Sequence, residues 1–203
     1  MTLRTLPHRP SHRGDVGSVS QCLAEESDSL DHAIYDAVAN TPTPTLDVPI
    51  TWIANASNYS TFSIVIAGIL ATSRGPRGRH AAVRGLVAVG ATSIVANLVV
   101  KPLFARRRPT RRKETAGRGA RMPGSSSFPS GHTASAFAFA AAVAPDFPQL
   151  AFPLYALATV VGYSRVHTGV HFPSDVMGGA VVGMAIGTVV RAGISKCEHV
   201  LAG

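Results

Sequence analysis

The sequence predicts an all-α fold: a polytopic transmembrane helical bundle of about five spans, preceded by an N-terminal amphipathic helix. Three observations predict it. Of 203 residues, 46% are hydrophobic and only 15% are charged, where an average soluble domain carries roughly 25% charged residues. The apolar residues gather after Pro49 into separate stretches of helical length. No segment alternates in the way a half-buried strand does. The apolar excess also excludes an intrinsically disordered chain, and the length suits one domain.

Residues 1–27 are polar, with Pro7, Pro10, Gly14 and Gly17. They read as a disordered tail, and they lack the apolar run of roughly 7–15 residues that a secretory signal requires. Residues 28–48 form an amphipathic helix and a linker. Leu30, Ile34, Ala37 and Val38 share one face with acids opposite, and Thr41-Pro42-Thr43-Pro44 breaks the helix. Residues 49–203 make the membrane-embedded domain. Its first apolar stretch ends at Phe62–Ala71, after a weaker 50–61 segment interrupted by Asn55 and Asn58. The second, Ala81–Val100, is twenty residues long, about 30 Å of helix and the thickness of a bilayer core. Arg84 lies one turn inside it, near enough to the end to snorkel. The third, His132–Ala144, stops at Pro145; the fourth runs Leu150–Tyr163 and the fifth Asp175–Val190. The third and fourth fall below the length of about twenty residues that a span needs. Gly179, Gly183 and Gly187 recur every fourth residue in the last stretch. Small residues at that spacing let membrane helices approach closely, and they permit a homodimer.

Nineteen basic against eleven acidic residues give a net charge of +8. No acid occurs between Val48 and Lys113, and residues 101–121 hold nine Lys or Arg with Glu114 alone against them. Such a surplus points to an anionic partner: nucleic acid, lipid or a phosphate-bearing substrate. No aromatic residue interleaves the cluster from Arg106 to Arg121, so a nucleic-acid arm that stacks bases is not expected. Arg106, Arg107, Arg111, Arg112 and Lys113 read as solvated or as partners of lipid headgroups. Cys22 and Cys197 are too few and too far apart for a disulfide framework or a zinc cluster.

Three blocks carry the chemistry. Lys101 is followed after six residues by Arg108-Pro109, beyond the second apolar stretch. Pro129-Ser130-Gly131-His132 opens the third. Ser164-Arg165, His171 and Asp175 span the join of the fourth and fifth. The first turn of a helix leaves backbone N–H groups free to receive an anion, which suits Gly131 and His132. In an antiparallel bundle the loops bearing the blocks emerge on one side. Arg74, Arg77, Arg79, the turn at 145–148 and the C-terminus fall on the other. Lys101, Arg108, His132, Arg165 and His171 can therefore converge in such a bundle without any particular family fold. Asn97 stands one turn before Lys101 on the same face, placed to support it.

These blocks resemble the type 2 phosphatidic acid phosphatase superfamily, which also includes vanadium haloperoxidases. Its signatures Lys-x6-Arg-Pro, Pro-Ser-Gly-His and Ser-Arg-x5-His-x3-Asp stand here complete and in order, eleven fixed positions between Lys101 and Asp175. The resemblance implies an integral-membrane lipid phosphatase, multi-pass in the cell (inner) membrane, working without metal or other cofactor. It implies His171 as the nucleophile that takes up the phosphoryl group, Asp175 as the group that fixes its tautomer, and His132 as general acid and base. Lys101, Arg108, Arg165, Ser130 and Gly131 would hold the phosphoryl oxygens, with arginine offering a planar fork. Ser164 reads as a loop-positioning residue and His167 as structural. The implied partners are the bilayer and a lipid phosphate: phosphatidic acid, phosphatidylglycerol phosphate, an isoprenyl diphosphate, or a phosphorylated polyprenyl sugar of the decaprenylphosphoryl-phosphoribose type. Two readings of other classes stand beside it, a vanadate-dependent haloperoxidase and a non-catalytic binder of anionic lipid. The positive-inside rule places the 101–121 loop in the cytoplasm, whereas many bacterial members of the family face outward, so the side stays open.

Overall fold

The computed structural model describes residues 16–110, 118 and 122–202. Among these residues all regular structure is helical. The elements are α1 (Val16–Asn40), α2 (Pro44–Ala56), α3 (Thr61–Ser73), α4 (Gly75–Val95), α5 (Gly131–Val143), α6 (Ala151–His167) and α7 (Pro173–Ala202). The expected tail is helical from Val16 through Ser27; the rest of that expectation, residues 1–15, lies outside the described residues. α1 starts well before its apolar pattern, and its described side chains from Val19 to Leu30 are exposed. Its Tyr35 and Ala39 pack on Phe172, at the start of α7, and tertiary packing sustains a helix that propensity alone would not.

Two helices are long and apolar enough to cross a membrane, Gly75–Phe104 and Pro173–Glu198. The first is α4 continued through a π-helical turn at Ala96–Val100 into Lys101–Phe104. A third crossing exists if α2 and the 58–73 segment, bent by 69°, count as one. Asn58 lies at that bend, where Tyr59 and Ser60 take left-handed backbone with φ of 56° and 57°. Of the five expected spans, α5 and α6 are thus the short ones, at 13 and 17 residues. Pro145 follows the end of α5, and α6 ends where the chain turns into a polar core. Exposed Ile64, Val65, Ile69, Val83, Val181 and Val189 give α3, α4 and α7 an apolar outer surface, the composition a lipid-facing belt requires.

The glycine row of α7 is filled from within the chain. A Cβ on Gly183 would stand 2.1 Å from the Ala134 carbonyl oxygen, and one on Gly187 2.4 Å from that of Ala138. The row therefore seats α5 against α7. Gly183→Val is expected to lower the melting temperature in detergent, by about 1–3 kcal/mol of stability, because backbone on both sides must move. Gly90→Ala, whose Cβ meets nothing within 4 Å, is expected to stay within about 0.5 kcal/mol of the parent.

The two ends of the bundle differ. At one end Arg77 lies over Phe147, and Arg84 meets Asp146 at 3.1 Å and also Glu198. Arg84 does not snorkel; it is buried where the α3–α4 hairpin, the 144–147 turn and the end of α7 meet, and its partners come from the latter two. At the other end Ser127, Ser130, Thr133, Arg165, His171 and Asp175 are buried together.

Candidate active site

Four chain segments build this polar end. Ala105 takes left-handed backbone (φ 40°) and stops the helix that carries Lys101, so that 106–109 fold back over the bundle. Ser130 is extended and opens α5, and its N–H bonds the Asp175 carbonyl at 2.9 Å. Gly169 (φ 71°) makes the turn after α6, a conformation that costs glycine nothing. The Val170 and His171 N–H groups then bond the Arg165 carbonyl at 3.0 and 3.2 Å.

Lys101, Arg108, Gly131, His132 and His171 line one cavity of about 230 Å³, together with Tyr59, Asn97 and Ser125 among others. Lys101 Nζ donates to Asn97 Oδ1 at 2.8 Å, the one-turn pairing expected from the sequence. Arg108 is held by the carbonyls of Ser125, Ser126 and Val170. Its Nη1 also stands 3.1 Å from His171 Nε2. A guanidinium only donates, so Nε2 presents a lone pair and the ring proton lies on Nδ1. That nitrogen faces Asp175 Oδ2 at 3.4 Å and Ser127 Oγ at 3.5 Å. Asp175 is fully buried; its Oδ2 also accepts from the Phe172 N–H and from Ser127. Burial first, and the Arg108 and Arg165 charges with it, hold the His171 imidazole at about 4, against the opposing pull of Asp175.

Two expected site residues stand beside the cavity with their side chains turned away from it. Arg165 is buried and donates to the Ala54 carbonyl and to Ser57, at the end of α2. Ser130 Oγ accepts from Thr133 at 3.0 Å. His132 Nε2 lies 3.1 Å from Asn58 Oδ1, so the bend in the first apolar segment reaches the site. Ser164 bonds the Val161 carbonyl of its own helix at 2.7 Å. His167 pairs with Asp47 at 2.9 Å.

Arg106 departs most from its expectation. It is neither solvated nor at a lipid headgroup: it meets Asp175 at 3.1 Å, Asp31 at 2.7 Å and Asp28 at 3.2 Å. Burial works against its charge, but these carboxylates outweigh burial and raise its affinity for the proton. Arg111, Arg112 and Lys113 lie outside the described residues. Sequence reasoning also missed Ser125, Ser127 and Asn58. The serines stand in a run immediately before Phe128-Pro129, and a polar side chain in an apolar stretch, as at Asn58, is itself a functional signal.

Chemically, a cavity lined by a lysine, an arginine and the first turn of α5 suits a dianion. A neutral imidazole lining that cavity, its Nε2 lone pair accepting from Arg108, can act as a nucleophile once that guanidinium turns to a bound anion. With His171 near 4, kcat/KM for a phosphomonoester is expected to fall tenfold per pH unit below about pH 4. The proton then occupies Nε2, and the substrate's own second ionisation, near 6, must first be divided out. A pH–rate profile checks this.

The PAP2 superfamily model matches residues 81–198. A lipid A 1-phosphatase of Rhizobium johnstonii is 38% identical over 71 residues, 35% of this chain and 29% of that protein. The undecaprenyl-diphosphatase BcrC of Bacillus subtilis is 39% identical over 61 residues, 30% of this chain and 32% of that protein. The chain thus spans less than a third of the length of these curated relatives. A crystal structure of a transmembrane PAP2-type phosphatidylglycerolphosphate phosphatase from Bacillus subtilis superposes with a TM-score of 0.65. It is 27% identical, over 84% of this chain and 87% of that one.

Proposed function

The chain belongs to the PAP2 superfamily, whose model covers more than half of it, and from that membership we propose that it hydrolyses a lipid phosphomonoester or diphosphate through a phosphohistidine, without metal. The observation that carries the reading is His171 Nε2, its lone pair held by Arg108 at 3.1 Å in the cationic cavity and its other nitrogen backed by Asp175.

The phosphoryl group is bound by Lys101 and Arg108 and by the N–H groups of Gly131 and His132. Arg165 and Ser130 join on rotation of their side chains. His171 Nε2 attacks phosphorus while His132, protonated as the phosphate dianion binds beside it, gives that proton to the departing lipid oxygen. His132, now neutral, takes a proton from water, whose oxygen displaces His171 and releases phosphate. Asp175 holds the Nδ1 proton and supports the positive charge on the ring in both steps. Catalysis of this kind is positioning plus charge stabilisation. The cations supply the charge that a metal otherwise would.

A second cavity supports a lipid as substrate. Phe62, Ile66, Phe139, Leu154, Leu157 and Val161 line it, and it shares Ser60, His132 and Ser135 with the cationic one. At about 30 Å³ it admits no more than the first carbons of an acyl or prenyl chain, which would meet a phosphate in the cationic cavity at His132. The reading places the protein in the cell (inner) membrane as a multi-pass protein, with phosphatidic acid, phosphatidylglycerol phosphate and polyprenyl-linked phosphates as candidate substrates.

The test is phosphate release by protein in detergent with excess chelator, from a panel of those lipids beside glycerol phosphate. Chelator-resistant release from lipids at more than about ten times the kcat/KM of glycerol phosphate is expected, since a buried hydrocarbon chain contributes about 0.8 kcal/mol per CH2. Release that stops on chelation, or that ignores the chain, contradicts the proposal.

A further inference from the structure

Arg106 occupies a position that neither the nucleophile nor the phosphate cavity requires. One of its nitrogens meets Asp175 Oδ1 at 3.1 Å and Ser174 Oγ at 2.6 Å. The other meets Asp31 Oδ2 at 2.7 Å and Asp28 Oδ1 at 3.2 Å. Its guanidinium lies 4.6 Å over the Phe172 ring. Asp31 is itself buried, accepts the Ser174 N–H at 2.9 Å and bonds the Ser174 hydroxyl. Asp28 and Asp31 belong to α1, which lies outside the 81–198 region of the superfamily match.

Resting on the function proposed above, we propose that Arg106 is a positioning residue for the His171–Asp175 pair, and that α1 holds it there through Asp31 and Asp28. Arg106 does not touch Nε2 and does not line the phosphate cavity; it acts through Asp175. A carboxylate with one oxygen on Arg106 and the other on Ser127 and the Phe172 N–H has no freedom to rotate. It therefore keeps one direction towards His171 Nδ1. Its negative charge is also shared with a cation, which limits how strongly it attracts a proton to the imidazole. Arg108, Asp175, Arg165 and His132 are the other titratable or charged groups around His171, from the loop after α4 and from α7, α6 and α5.

The experiment compares the full chain with Arg106→Gln. In the variant kcat is expected to fall about 10- to 100-fold with KM within about threefold, the scale on which partners of active-site ligands matter. The acid limb of the pH–rate profile is expected to rise by about half a unit to one unit, because Asp175 loses a neighbouring positive charge and holds the imidazole proton more firmly. A merely structural role lowers activity and leaves that limb where it was. NMR titration of ring-labelled histidine reads the same rise at His171 without any turnover. If the parent releases phosphate and Arg106→Gln matches it in kcat and acid limb, this proposal is overturned and the phosphatase reading stands. If the parent releases none, the phosphatase reading fails and the titration alone decides: a raised His171 sustains the clamp, an unmoved one overturns it. Should the glutamine variant not fold, Arg106→Lys keeps the charge and loses the fork. Its kcat is expected to fall about threefold or more, and a parent-like kcat overturns the proposal.

Discussion

His171→Ala is expected to lower phosphate release about 10⁴-fold or to the floor of the assay. The size follows from what is removed. Nε2 is the nitrogen that Arg108 holds with its lone pair in the cavity, and no cysteine stands nearby to replace it, since Cys22 and Cys197 are both exposed. Lys101 and Arg108 remain, so the variant should still bind phosphate or vanadate and be protected by it against thermal unfolding. Loss of activity with binding retained, measured as kcat beside a melting curve with and without inorganic phosphate, separates loss of the nucleophile from loss of the fold. A variant that retains a hundredth of the parent activity contradicts the assignment.

His132→Ala is expected to lose about 10²- to 10⁴-fold in kcat on a lipid phosphate, the range of one positioned acid or base. The loss should divide between two steps. With p-nitrophenyl phosphate the departing oxygen needs no proton, so the first step recovers while the second, which needs water activated, does not. The variant should then release one equivalent of nitrophenolate per protein in a burst and continue slowly. Equal loss on both substrates with no burst places His132 outside the proton transfers. Asn58, 3.1 Å from His132 Nε2, fixes the ring in either case.

Much of this site is legible in the sequence because its parts are local. The spacing from Lys101 to Arg108 is one helix end and one turn, and His171 and Asp175 are one helical turn apart, so counting residues places them. The apolar stretches likewise predict α3 to α7, and Pro145 marks the end of α5. What is not legible is long-range. Arg106 and Asp31 are 75 residues apart and His167 and Asp47 are 120 apart; neither pair leaves a periodic trace. The start of α1 escaped for a related reason. Its residues from Val16 to Ser27 are too polar for an apolar period to be conclusive, and the helix depends on Tyr35 and Ala39 docking against Phe172. Arg84 looked like a snorkelling residue because its partners Asp146 and Glu198 lie 62 and 114 residues away. Asn58 looked like a fault in a span. Its role at the bend becomes visible only when α5 brings His132 beside it.

The most direct test of a metal-independent transfer through His171 is to trap the phosphorylated protein. The His132→Ala chain, mixed with phosphorus-labelled p-nitrophenyl phosphate and excess chelator and quenched in alkali, is expected to carry close to one label per chain, because this leaving group needs no proton from His132. That label should be stable to base, released by acid, found by peptide mass spectrometry on His171, and absent from His171→Ala. Label on Ser130, or none while phosphate is still released, contradicts a phosphohistidine at His171.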